Sequence, residues 1–337
     1  MITGRLRTVM KAIPKGVLIA VLLLLVVEFA VARQEWPWRF EPRSSSGIID
    51  ALETQVIEPA PDPAVIVLGS SRIRDAIAPR ALEENLDLDE GTVLNLGLTG
   101  GNLFDALSLY ERNRIKIGEA EIAVIGVELG DFVSDPGVSN RVRRFATLED
   151  RLAWPGEGRA SLLIGSVWRT YDAREPIRGV ITSPLRDNQS ELPISEDGRV
   201  VWREPVAEGP EEIDDVGVAD GFFGEDDPGA GHAASLEELI GLLTEDGVQV
   251  LIVYLPVRDS FADVIDDEYP HLMAGLKDQL QAFNQSANVL VIERASLVPR
   301  LLPIHFYDYG HATNVGGLVL SDYYGNVLRD RFPDLVG

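Results

Sequence analysis

Cysteine is absent from all 337 residues. That absence excludes a disulfide scaffold, thiolate zinc sites, a cysteine nucleophile and a lipidated N-terminal cysteine. Histidine is scarce, so imidazole chemistry must fall on His232, His271, His305 or His311. Positive charge is in deficit: 30 Lys+Arg face 54 Asp+Glu, for a net charge of −24. Such a chain is not expected to bind nucleic acid through phosphate neutralisation. Also missing are an internal repeat, an EF-hand loop, a phosphate-cradling Gly-x-x-x-x-Gly-Lys and a His-Glu-x-x-His pair, so no metal or cofactor is expected. What remains is 45% apolar and 25% charged, the balance of an acidic globular chain with one large domain or two modest ones.

The N-terminus is organised differently from the rest. Residues 1–15 carry Arg5, Arg7, Lys11 and Lys15 and no acid, a basic tail. Residues 16–32 are apolar, interrupted only by Glu28. Seventeen helical residues reach about 25 Å, the lower limit for a bilayer span. The cations should hold the tail in the cytoplasm and send the remainder across. Trp36, Trp38 and Phe40 stand where an aromatic interfacial belt would lie. An alternative is a cleaved signal peptide, with Val17–Val27 as its core and Ala30-Val31-Ala32 as a small-x-small cleavage site. Both readings put residues 33–337 outside the cytoplasm. Ser44-Ser45-Ser46 and a proline cluster then suggest a linker over 33–63.

From residue 64 a repeating pattern sets in. Ala64–Leu68, Val93–Leu96, Ile122–Val127, Val248–Leu255 and Val289–Ile292 are continuous Val/Ile-rich runs, the form of buried parallel strands. Amphipathic stretches alternate with them: Leu103–Arg114 after Asn102, Leu236–Glu245 after Ser235, Asp267–Phe283, and Val315–Asp330 after Thr313-Asn314. The alternation predicts a doubly wound, flavodoxin-like α/β domain over 64–337. Its sheet is mostly parallel and five-stranded, sandwiched in three α/β/α layers. The pattern breaks over 132–232, an insertion. Within it Ser195–Trp202 reads as a hairpin turning at Asp197-Gly198. Glu204–Asp227 carries ten acids and no base, either a solvated loop or a site for a divalent cation or basic partner.

Ligands of parallel sheets bind beyond the carboxyl ends of the strands, so site chemistry is expected just past each run. The first ends Leu68-Gly69-Ser70-Ser71-Arg72. The second ends in the glycine-rich Asn95-Leu96-Gly97-Leu98-Thr99-Gly100-Gly101-Asn102, whose backbone N–H groups suit a developing oxyanion. The third ends Glu128-Leu129-Gly130-Asp131. Near the C-terminus, Tyr307-Asp308-Tyr309-Gly310-His311 sets an Asp three residues before a His, where it can hold one ring nitrogen and leave the other free as a base. Each signal alone also fits ordinary turn chemistry.

In their order along the chain these motifs resemble the SGNH (GDSL-type) hydrolase superfamily, over roughly 64–131 and 235–332. The resemblance implies Ser71 as nucleophile, His311 as base and Asp308 as its orienting acid, with the backbone N–H groups of Ser71 and Gly100 as oxyanion donors. Three positions depart from the pattern: Ser70 replaces an Asp, Arg72 replaces a Leu, and Glu128 stands where an oxyanion-binding Asn belongs. With the N-terminal anchor, the variant pattern looks most like the branch acting beside membrane-bound O-acyltransferases. That branch includes alginate O-acetylation proteins and the D-alanyl transfer protein of teichoic acid synthesis.

The resemblance implies an extracytoplasmic serine esterase or O-acyltransferase acting on acylated cell-envelope or secreted polysaccharide, with a multi-span O-acyltransferase as a partner. Arg72, Asn102, Glu128, Asp131 and His305 are candidate substrate-binding groups, and Arg72 and Arg74 would either steer an anionic glycan or be ordinary solvated or structurally paired arginines. The competing reading is a non-catalytic module that keeps the fold and binds glycan or that partner. A metal-dependent enzyme built on Glu128, Asp131 and His305 has no ligand spacing to support it.

Overall fold

The structure, a computed structural model, describes residues 14–40, 44–133, 137–182, 192–194, 199–200, 213–224, 229, 231–284, 288–293 and 301–333. Five strands form one sheet: β1 (Val65–Leu68), β2 (Val93–Asn95), β3 (Ile122–Val127), β4 (Gln249–Tyr254) and β5 (Val289–Ile292). Their order is β2-β1-β3-β4-β5, and every pairing is parallel, where a mostly parallel sheet was expected. β-Branched side chains fill the strands because they pack well on a pleat buried from both sides. Alternate residues enter two separate clusters. Ile66, Leu68, Ala123, Ile125, Val250 and Ile252 join one with the helices Leu103–Ile117, Ala233–Glu245 and Pro270–Phe283. Val65, Val67, Ile122, Val124, Leu251 and Val253 join the other with the helices Ser71–Ala76, Pro79–Leu86 and Asn314–Arg331.

Several expectations need correction. Among described residues the segment 33–63 is packed, and it does not act as a linker. Ile48, Ile49, Leu52 and Ile57 are buried in the first cluster, because their spacing gives the helix Ile48–Leu52 and the turn after it one apolar face. The single helix expected over Asp267–Phe283 is two, Asp259–Glu268 and Pro270–Phe283, since a proline opens the second. His232, and not Ser235, precedes the helix Ala233–Glu245. The turn of the expected hairpin lies outside the described residues, but Ile194, just before it, and Val200, within its second arm, form an antiparallel bridge. Residues 204–212 and 225–227 of the acidic segment also lie outside them. Its middle is a helix, Asp215–Phe222, docked through buried Ala219 and through Tyr269 Oη donating to Asp220 at 2.6 Å. Arg5, Arg7 and Lys11 are likewise outside.

Over 140–182 the insertion is a run of short helices: Asn140–Phe145, Leu148–Ala153, Gly158–Val167, Arg169–Asp172 and Arg174–Thr182. It has little apolar core of its own, chiefly Val142, Ala146, Trp154 and Leu162 around Phe104. Buried charge organises the rest. Asp172, fully buried, meets Arg143 at 3.3 Å, Arg151 at 2.7 Å and Arg169 at 3.3 Å. Of these, Arg143 also donates to Ser161 Oγ, and Arg151 to Ala146 O and Leu162 O, as burial of charge requires.

At the N-terminus one helix, Lys15–Ala32, is long and apolar enough to cross a membrane. Its last turn is docked to the insertion through Glu28. That carboxylate accepts from Arg169 N at 2.9 Å, from Thr170 N at 2.8 Å and from Thr170 Oγ1 at 2.8 Å, and pairs with Arg33 at 3.0 Å.

Candidate active site

β1 runs into its turn through Gly69, whose φ of +133° lies in the region glycine tolerates, and a Cβ there would stand 2.7 Å from Gly126 O. Ser70 caps the next helix, its Oγ accepting from Arg72 N at 3.1 Å, and this leaves Ser71 as the first helical residue. The turn after β2 is drawn alongside: Leu98 N donates to Gly69 O at 2.9 Å. Gly97 permits this approach, since a Cβ there would lie 2.6 Å from Arg74 Cβ and 2.8 Å from Ser70 O.

The third component arrives from the far end of the chain. Phe306 and Ala312 pair as an antiparallel bridge, and Tyr307 N donates to His311 O at 3.1 Å, which folds residues 307–311 into a tight loop. Asp308 Oδ1 accepts from Gly310 N at 2.9 Å and His311 N at 2.7 Å, and this fixes the carboxylate. Its Oδ2 lies 2.8 Å from His311 Nδ1, and His311 Nε2 lies 2.8 Å from Ser71 Oγ. Tyr307 stacks on the imidazole with ring centroids 5.2 Å apart, anchored by Tyr307 Oη donating to Asp75 at 2.9 Å. Burial pushes the Asp308 carboxyl up, but the His311 ring and the two backbone N–H groups outweigh it and hold the group below its ordinary value. Ser71, His311 and Asp308 are therefore brought together in the arrangement of a nucleophile, a base and an orienting acid.

Arg72 is buried beneath this relay. It donates to Glu128 Oε2 at 3.1 Å, Leu255 O at 3.1 Å, Pro256 O at 2.9 Å and Gly310 O at 3.3 Å. Its guanidinium also lies over the Tyr309 ring, 5.7 Å from the centroid. These partners tie the ends of β3 and β4 to the histidine loop. Glu128 Oε1 accepts from Ser70 Oγ, so both carboxylate oxygens are occupied. Arg74, also buried, donates to Asp75 and Thr99. Neither arginine stands in solvent where it would steer an anionic glycan.

Gly100, Asn102, Glu128 and Asp131 line one cleft of about 300 Å³. Asn102 Oδ1 also caps the helix Leu103–Ile117 by accepting from Asp105 N at 3.0 Å. Asp131 is buried, accepts from Glu128 N at 2.9 Å, and has its carboxyl pushed up to about 8 by burial and by the neighbouring Glu128 charge. His305 does not join this group; its Nδ1 accepts from Leu302 N at 3.0 Å, and its carbonyl accepts from Thr313 N. Among the described residues no three His, Asp or Glu gather as metal ligands.

Two site residues escaped sequence reasoning. His232 lines the same cleft, edge-on to Trp154 at 5.3 Å, and its Nε2 has no hydrogen-bond partner among described residues. Burial lowers its imidazole to about 4. The scarcity of histidine was the one available signal. Arg141, from the insertion, pairs with buried Asp105 at 2.8 Å and donates to Thr99 O at 3.3 Å and to Gly100 O. Peptide planarity sets the Gly100 N–H opposite to the Thr99 carbonyl, so Arg141 fixes the direction of that donor. Nothing in the sequence links residue 141 to residue 100.

No protein-family model and no curated protein matches this chain.

Proposed function

We propose that the protein is a membrane-anchored, extracytoplasmic serine esterase or O-acyltransferase of SGNH type, acting on O-acyl groups of an envelope or secreted polysaccharide. The observation that carries this reading is the continuous relay from Ser71 Oγ through His311 to Asp308, with 2.8 Å at each step. Ser71 Oγ attacks the acyl carbonyl as His311 Nε2 takes its proton, and Asp308 stabilises the imidazolium. The backbone N–H groups of Ser71 and Gly100 receive the oxyanion. Collapse breaks the ester C–O bond, and His311 returns the proton to the departing alkoxide. The acyl-serine then passes to a sugar hydroxyl or to water, activated in turn by His311.

The order β2-β1-β3-β4-β5, with separate apolar clusters on the two faces of the sheet, supports a flavodoxin-like, three-layer arrangement. The Lys15–Ala32 helix supports anchoring with the basic tail in the cytoplasm, and a multi-span O-acyltransferase is the partner that such a location suits. A second reading, a non-catalytic module, is favoured by Glu128, since a carboxylate cannot donate to an oxyanion. A fluorophosphonate probe separates the two. Labelling of wild type that disappears in Ser71→Ala and His311→Ala is the expected result, and a wild-type chain that stays unlabelled overturns the enzyme reading.

A further inference from the structure

The Lys15–Ala32 helix does not leave its apolar segment freely. Glu28, with 2% of its surface exposed, lies four residues before the end of that helix, about 6 Å along its axis. At that level it is held by the backbone of Arg169 and Thr170. Arg33 Nη2 reaches the Val167 carbonyl at 3.4 Å, and Ala32 and Trp38 pack with Ala173 and Ile177. The depth of the insertion is thereby tied to the depth of the helix. If residues 15–32 cross a bilayer, their length of about 27 Å barely matches its hydrocarbon core. The junction at 167–170 must then sit at the boundary between acyl chains and headgroups.

The residues turned outward around that junction fit such a location. Ile164 is 53% exposed, Val167 77%, Trp168 38% and Ile181 71%. Ile164 and Val167 share one face of the helix Gly158–Val167 by their i, i+3 spacing, and Trp168 is the residue that ends it. On the neighbouring helix Arg174, Arg178 and Ile181 share a face by the same rule, and all three are exposed. Residues 158–182 hold four arginines against two acids, in a chain of net charge −24, and one of those acids, Asp172, is buried under three arginines. Apolar side chains with a tryptophan and arginines beside them are the composition of a surface lying in a membrane interface.

We propose that the face formed by Ile164, Val167, Trp168 and Ile181 seats in the outer leaflet beside the anchor, with Arg174 and Arg178 among anionic headgroups; this rests on the reading of residues 15–32 as an anchor. A lipid surface is favoured over a protein because Glu28 fixes the height of the face. The bilayer that takes the helix is already against it.

The native chain has no cysteine, so nitroxides can be placed singly in the full-length protein. It would be reconstituted in bilayers of phosphatidylethanolamine and phosphatidylglycerol, with labels at Val167→Cys, Ile181→Cys, Leu22→Cys in the spanning helix and Ile115→Cys on the core domain. Collisions with oxygen and with a water-soluble nickel chelate are then compared. Val167 and Ile181 should read lipid, with an oxygen-to-nickel ratio severalfold above that of Ile115, and Arg174→Glu with Arg178→Glu should lower that ratio. Water-like readings at 167 and 181, with a lipid reading at Leu22, overturn the docking face and leave the anchor standing. Protection from both reagents at 167 and 181 means a protein covers the face, and also overturns it. A water-like Leu22 defeats the anchor itself, and the docking face with it.

Discussion

Arg72 donates to Glu128 across 3.1 Å, and Ser70 donates to the other oxygen of the same carboxylate. These are the three positions where the sequence departs from the pattern it resembles, and they form one mutually bonded group. Glu128 at the end of β3 is therefore accounted for by the guanidinium beneath it. Removing Arg72 leaves the half-buried Glu128 carboxylate without its counter-ion, which costs about 1–3 kcal/mol. Arg72→Ala should lower the urea midpoint accordingly. Arg72→Met combined with Glu128→Gln should recover much of that loss. Additive losses in a double-mutant cycle would mean that the two residues are not coupled.

The relay itself predicts a non-additive pattern. Ser71→Ala and His311→Ala should each reduce turnover of a model acetyl ester by several orders of magnitude, and the double variant should be scarcely worse. Ser70→Ala should cost much less, because Ser70 contacts Glu128 and the backbone of Arg72 and makes no hydrogen bond to His311. A loss as large as that of Ser71→Ala would move the nucleophile to residue 70.

Under the proposed function Arg141 acts as a positioning residue, and its effect on turnover should separate from its effect on stability. Arg141→Met with Asp105→Asn removes the buried pair without stranding a carboxylate. This variant should unfold close to the wild-type temperature yet lose about 10²-fold or more in kcat, on the scale of losing one oxyanion donor. KM should change little. Unchanged kcat would show that the Gly100 peptide holds its direction without the guanidinium.

Stability should fall with pH in one particular window. Asp131 has a carboxyl raised to about 8 against about 4 in the unfolded chain, so the folded state retains a proton that the unfolded state has released. Its contribution is present in full below about pH 4 and is lost as pH rises through about 8. His232 runs oppositely, lowered to about 4, and adds stability as pH rises from about 4 to 6.5. The two offset each other at the acid end, so a net fall should emerge between about pH 6.5 and 8. Urea unfolding across that range should show it in wild type, and Asp131→Asn should flatten it. An unaltered slope in that variant would reject the assignment.

The five strands were legible because buried parallel strands are written as unbroken Val/Ile runs, and the relay because Ser71 and Asp308-x-x-His311 each end a recognisable segment. Short helices were less so. Ser71–Ala76 and Pro79–Leu86 carry too few turns for periodicity to emerge. The insertion was opaque for another reason: it is held by arginines, Asp172 and backbone carbonyls, and hydrogen bonds between distant residues leave no period in the sequence. Ser44-Ser45-Ser46 misled, since local turn chemistry says nothing about Ile48, Ile49 and Leu52, which commit the segment to the core.

The packing of residues 33–63 has a mechanical meaning. A slack tether would let the group around Ser71 and His311 sweep a volume. Here the Lys15–Ala32 helix is clasped through Glu28, and the chain beyond it is laid into the core through Ile48, Ile49 and Leu52. The Ser71–His311–Asp308 group thus keeps a constant stand-off and heading relative to that helix. Under the proposed function, a chain mounted this way selects by position as well as by chemistry: an acyl donor or glycan must be threaded past Ser71 by whatever delivers it.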